Sequence, residues 1–120
     1  MGLAALAAPQ FWPATVTGSA KGGAPNARVF SAMGTNRNGS MRYLMLFNRA
    51  TVLAGGEVPL MAWPIPPASG GIPGVDAFGD IFTVDGILFP LGLVWGMSTT
   101  SRSYTAATAA DHDVTIVANP

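Results

Sequence analysis

The stretch "MRYLMLFN", residues 41–48, has the residue types of a β-strand, and its pattern limits how the rest of the chain can be arranged. Side chains alternate between the two faces of a strand, so Met41, Tyr43, Met45 and Phe47 share one face, which is wholly apolar. The opposite face is apolar at its centre and polar only at its ends. A strand with one face in water alternates more regularly than this. Both faces are therefore expected to be covered, either by the chain itself or by another molecule.

Further strand patterns and turn signals flank this stretch on both sides. "RVFSAMGTN" (28–36) precedes it, and the Asn38-Gly39 dipeptide between them predicts a type I′ hairpin turn. Residues 50–66 predict two more strands joined by a Gly-Gly turn, and the prolines of the second strand confine it to a sheet edge or an irregular position. The remaining strand patterns cover residues 78–86, 87–100 and 114–118.

The spacing of these patterns predicts the fold class. Seven or eight short strands, with turn signals about every ten residues and without helical periodicity, are typical of an all-β protein. We expect a single jelly-roll-like β-sandwich over residues 28–120, preceded by an extended N-terminal arm over residues 1–27. The arm is interrupted by prolines and glycines but carries apolar residues. We expect these to contact a partner, unless the segment packs on its own sheet or is disordered: Leu3, Leu6, Phe11, Trp12 and Val16.

The small number of charged residues indicates an assembly subunit. Only 10% of the residues are charged, against roughly 25% in typical soluble domains. Residues 1–56 carry five basic and no acidic residues, whereas residues 57–120 carry six acidic residues and one arginine. These halves can pair within one fold or between neighbouring subunits. The basic residues are too dispersed for a phosphate-binding patch, so no nucleic acid is expected.

Catalytic and metal-binding patterns are weak. The chain has no cysteine, and its single histidine, His112, lies between Asp111 and Asp113. Adjacent strand residues point to opposite faces, so these three side chains do not easily converge on a metal, and a surface turn is the favoured interpretation. The sequence shows no nucleophile elbow or phosphate loop, and no EF-hand spacing among its other aspartates. We expect no enzyme, no cofactor and no metal. The chain start lacks the basic region of a signal peptide, and prolines interrupt the uncharged stretches, so no membrane span is expected.

Three tryptophans and two leucines are candidates for buried or partner-facing positions. Trp95 lies in the most apolar strand pattern and is expected in the core, whereas Trp12 is expected to contact a partner. Leu44, Leu46 and Trp63 are candidate interface residues. Trp63, together with loop 67–77, also supports an alternative function, a receptor- or glycan-binding module in a tail or head fibre.

Several short sequence segments, or words, within residues 28–118 resemble those of a known class of proteins. The words are "VFSAMGTN", "RYLMLFNRATV", "GGEVPLMAWPIP", "GILFPLGLVWGMSTTSRSYTAA" and "DVTIVA". In rhythm and order they resemble small β-sandwich virion proteins of tailed bacteriophages, such as head decoration or cement proteins, head fibres and tail components. The words cover about three quarters of the chain.

This resemblance implies a structural protein of the virion, assembled in the host cytoplasm. The expected role is a capsid decoration or cement protein that binds the head exterior and its own copies. The implied partners are the major capsid protein or other virion proteins and further copies of the chain, with a trimer favoured. A resulting expectation is that deletion of residues 1–20 weakens particle binding without unfolding residues 28–118.

Overall fold

The described part of the chain is all-β, and more than half of its residues lie in nine strands. The computed structural model describes residues 8–13, 16–20, 23–51, 53–77, 86–108 and 111–119. The strands are β1 (Ala8–Pro13), β2 (Thr17–Ala20), β3 (Ala27–Asn36), β4 (Arg42–Asn48), β5 (Met61–Ile65), β6 (Gly74–Ala77), β7 (Ile87–Phe89), β8 (Leu93–Ser98) and β9 (His112–Ala118). No helix within these ranges has the length and apolar character needed to cross a membrane.

The strands form two antiparallel sheets that pack into a sandwich. Sheet A has the order β1-β9-β3-β6, and β7 also pairs with β3. Sheet B has the order β2-β8-β4-β5. β6 and β7 both pair antiparallel with β3, at different positions along it, so they can be counted as one interrupted strand. The chain then alternates between the sheets in the order of a jelly roll, as the strand spacing predicts.

The two faces of β4 are both covered, and the chain itself covers them. Leu44 and Leu46 are fully buried in the core between the sheets, together with Trp95, Val114 and Ile116. The opposite face, with Met45 and Phe47, packs under Tyr104 and Leu53. The ring of Tyr104 meets that of Phe47 edge-on, with a centroid separation of 5.7 Å. The loops that follow β4 and β8 therefore cover the outer face of β4.

The predicted hairpin between β3 and β4 is wrong, because the two strands belong to different sheets. The buried side chain of Asn36 organises the crossing instead. Its Nδ2 donates to the carbonyl oxygens of Ser40 at 2.9 Å and Pro66 at 3.2 Å, and its Oδ1 accepts from Asn38 N at 2.8 Å. Asn38 forms a second turn of the same kind two residues further on, because its side-chain Oδ1 accepts a hydrogen bond from Ser40 N. These two Asx turns direct the chain from sheet A to sheet B.

A two-residue hairpin turn of the I′ kind occurs at Gly70-Gly71. Both glycines have positive φ, 60° and 80°, and Ser69 and Ile72 exchange two backbone hydrogen bonds across them. The proline-based prediction for β5 is confirmed, because this strand forms an edge of sheet B. The predicted strand at 78–86 lies, apart from Gly86, outside the described residues.

The described part of the N-terminal segment belongs to the sandwich rather than forming an extension beside it. β1 pairs antiparallel with β9, from Ala8 opposite Ala118 to Pro13 opposite Asp113. β2 pairs antiparallel with β8. Residues 8–13 and 17–20 therefore supply one outermost strand to each sheet. The periodicity of this segment is weak because its strands depend on the pairing that β8 and β9 offer.

Candidate interaction surfaces

The outer face of sheet A carries an exposed apolar row. The strand registers place Phe11 of β1 opposite Thr115 of β9, and Thr115 opposite Met33 of β3. Phe11 is 60% exposed and Met33 is 41% exposed. Val75 of β6 is 53% exposed, and Val117 of β9 is half-buried. These five residues define the outer face of sheet A. Several exposed apolar side chains on one face of a sheet make that face a candidate interaction surface.

The opposite charges of the two halves of the chain pair within the fold. Arg37 forms a two-pronged ion pair with Asp113, at 2.5 and 3.1 Å, across β3 and β9. Arg49 pairs with Glu57 in the loop between β4 and β5. Both pairs join a basic residue of the first half to an acidic residue of the second half. The described charges therefore support the intramolecular alternative over pairing between subunits.

A buried polar cluster closes one end of the sandwich core. His112 begins β9 with its side chain fully buried, so the prediction of a surface turn is wrong. Its Nδ1 lies 3.1 Å from Oδ1 of Asp111. Burial lowers the pKa of His112 below its usual value of 6.5, while the Asp111 carboxylate opposes this shift and the charges of Arg42 and Arg37 add to it. Asp113 points to the opposite face, as strand alternation predicts. The imidazole of His112 is therefore enclosed by the described part of the chain.

The edge of sheet B at β2 borders a shallow groove. The groove has a volume of about 310 Å³, with β2 on one side, Val94 of β8 on its floor and the loop after β4 on the other side. It is lined by uncharged residues: Thr17, Gly18, Ser19, Ala50, Thr51, Leu53 and Val94. No sequence motif marks this place. The one signal available was that residues 17–20 contain no proline, in contrast to the edge strands β1 and β5.

The predicted interface residues differ in how exposed they are in the structure. Phe11 is exposed on sheet A, whereas Val16 is half-buried and its carbonyl accepts a hydrogen bond from Met97 N. Leu44 and Leu46 have no exposed surface, so their assignment to an interface is corrected to the core. They face the second sheet because the even-numbered residues of β4 point inward.

The tryptophans also differ in environment. Trp95 is fully buried in the core, as predicted, and Trp63 is half-buried against it. Leu3, Leu6 and the side chain of Trp12 lie outside the described residues. Among the predicted partner contacts whose side chains are described, only Phe11 lies on a face with other exposed apolar residues.

Comparisons with known proteins identify no relative. No protein-family model matches the chain, no curated protein matches it, and no solved structure matches it.

Proposed function

We propose that this chain is a structural protein of a bacteriophage virion, most simply a decoration or cement protein that binds the head exterior and its own copies. The observation that carries the proposal is the outer face of sheet A. Phe11, Met33 and Val75 expose large apolar side chains on one side of the sandwich. A protein with only 10% charged residues has little charge elsewhere to keep such a face apart from its neighbours.

Binding to a particle would depend on many repeated contacts rather than on one strong site. Three half-exposed apolar side chains on a small face provide a weak contact by themselves. On a particle, each copy is held by its neighbours as well as by the surface beneath it, and linked contacts of this kind reinforce one another. The jelly-roll order of the strands is compatible with this role, although a fold alone does not define a function.

The proposal is tested by rebinding to particles that were assembled without the chain. Phe11→Asp places a charge on the outer face of sheet A, at the most exposed apolar residue of the three, and we expect it to reduce particle binding at least tenfold. Leu91→Asp is the matched control, because Leu91 is also exposed, at 61%, but lies in the turn between β7 and β8. Equal binding by both variants and the unchanged protein would contradict the role of this face.

A further inference from the structure

The backbone of β2 offers unused hydrogen-bonding groups to a further strand. Met97 N donates to Val16 O at 2.9 Å, which makes these two residues a hydrogen-bonded pair in the β2–β8 ladder. Such pairs alternate along antiparallel strands. The N–H and C=O groups of Gly18 therefore point toward β8, whereas those of Thr17 and Ser19 point away from the sheet. No described residue pairs with these outward groups in a strand ladder.

The edge strand β1, in contrast, is protected by proline. Arg37 N donates to Asp111 O, so these two residues form a hydrogen-bonded pair at the end of the β3–β9 ladder. Counting from this pair, every second residue of β9 points its backbone N–H and C=O toward β3, and the residues between them point theirs toward β1. By the register of β1 on β9, the outward positions of β1 are Pro9, Phe11 and Pro13. Two of these three residues lack an N–H group. Proline at outward positions of an edge strand prevents another strand from pairing there.

The edge strand β5 is protected in the same way. Arg49 N donates to Gly92 O, so the odd-numbered residues of β4 point their backbone N–H and C=O toward β8 and the even-numbered ones point theirs toward β5. The outward positions of β5 are then Ala62 and Pro64. The β2 edge has no such protection. It also carries no charge, and its outward residues have small side chains.

We propose that two copies of this chain join through their β2 strands, so that sheet B continues from one copy into the other. A two-fold axis at Gly18 places Thr17 of each copy opposite Ser19 of the other. Each Thr–Ser pair then exchanges two backbone hydrogen bonds, giving four in total. The outward groups are thus self-complementary, and facing Thr and Ser side chains also form a favourable cross-strand pair. Glycine at the axis avoids a close contact between two identical side chains.

This inference rests on the part of the proposed function in which the chain binds its own copies, and it names the contact. The outer face of sheet A stays available to other virion proteins, because the β2 edge belongs to the other sheet. An isologous contact of this kind closes after two copies. It therefore predicts dimers in solution, or pairs of copies across two-fold axes of a larger assembly, in place of the favoured trimer.

The first test is sedimentation velocity of the purified protein over a range of concentrations, with two proline variants. Ser19→Pro removes an outward N–H and places the ring against the incoming strand, so we expect the dimer dissociation constant to rise at least tenfold. Ala62→Pro makes the same chemical change at an outward position of β5 and should leave the dimer intact. Thermal melting of both variants serves as the control for folding.

A cross-linking measurement does not depend on the proline variants. The chain has no cysteine, so single substitutions are unambiguous. Chains with Thr17→Cys mixed with chains with Ser19→Cys should form a disulfide-linked pair on mild oxidation, since facing residues lie about 5.5 Å apart at Cα. Either variant alone should cross-link far less.

Three results would overturn the inference. They are a monomer at all concentrations, an oligomer that Ser19→Pro does not weaken, and a trimer without mixed cross-links. A trimer would leave the proposed function in place and remove only this contact. Absence of the chain from virus particles would contradict the proposed function and leave the dimer unaffected.

Discussion

Gly96 of β8 is the position where the covering of sheet B can be tested most sharply. A Cβ atom at this residue would lie 2.6 Å from Cε1 of Tyr104 and 2.6 Å from Cδ1 of Leu53. Ordinary van der Waals contact begins at 3.4 Å, so each atom would have to withdraw by 3.4 − 2.6 = 0.8 Å. The Leu53 methyl group can rotate away. The Tyr104 ring cannot easily do so, because it packs on Phe47 and its backbone N–H and C=O bond to Glu57 and Gly56.

Gly96→Ala is therefore expected to lower the free energy of unfolding. Overpacking of this kind costs about 1–3 kcal/mol. Alanine offsets about 0.4–1 kcal/mol by restricting the unfolded chain, because Gly96 does not have positive φ. The net loss is then about 0–2.6 kcal/mol, with a midpoint of about 1.3 kcal/mol that corresponds to a decrease of roughly 5 °C in Tm for a chain of this size. Urea unfolding of the purified protein, followed by circular dichroism, measures it.

A double-mutant cycle assigns the cost to the Tyr104 ring. Tyr104→Ala by itself should cost about 3–5 kcal/mol, but Gly96→Ala should then add nothing or be stabilising, because its new methyl group enters the vacated space. Tyr104→Phe is the control, since it keeps the ring and should preserve the full penalty of Gly96→Ala. Strictly additive effects of Gly96→Ala and Tyr104→Ala would refute the claim that the chain's own loop covers this face.

The remaining predictions concern the two ends of the sandwich and its outermost strands. Asn36→Asp should lower the free energy of unfolding at neutral pH by about 3 kcal/mol, because a carboxylate oxygen would replace the Nδ2 donor that faces the carbonyls of Ser40 and Pro66. Urea unfolding measures this loss, and an unchanged unfolding midpoint would contradict the prediction. Since burial lowers the pKa of His112, the unfolded state binds more protons than the folded state, so stability is full above about pH 6.5 and falls as the pH drops below it. The decrease in Tm between pH 7 and pH 5 should shrink in His112→Gln, and an identical decrease in both proteins would count against this role. Deletion of residues 1–20 should lower Tm as well as particle binding, because it removes β1 and β2 from the two sheets; a truncated protein that melts like the full chain would contradict this.

The sequence predicted those parts of the fold in which residue patterns reflect the local environment. The strand-forming residues in 41–48 and 114–118 identified β4 and β9, whose inward residues are apolar. Prolines identified β5 as an edge strand, since their effect on the ladder is local. The apolar surroundings of Trp95 predicted its burial in the same way.

The errors arose where distant contacts decide the structure. Asn38-Gly39 is a strong hairpin signal, but Asn36 bonds to the carbonyl of Pro66, 30 residues away, and the chain crosses to the other sheet. His112 has polar neighbours in sequence, yet its backbone position at the start of β9 turns it into the core. Leu44 and Leu46 could not be assigned to one side of β4 by pattern alone, because both faces of the strand are apolar at the centre.

The copy number of this chain in purified virus particles, relative to the major capsid protein, tests the proposed role most directly. It can be measured by quantitative mass spectrometry of particles from a productive infection. A decoration protein that binds across the head surface is predicted to be present in a fixed ratio and in many copies per particle. A few copies per particle would favour the fibre alternative with its receptor- or glycan-binding role. Absence from particles, with the protein abundant in the infected cell, would contradict a structural role in the virion.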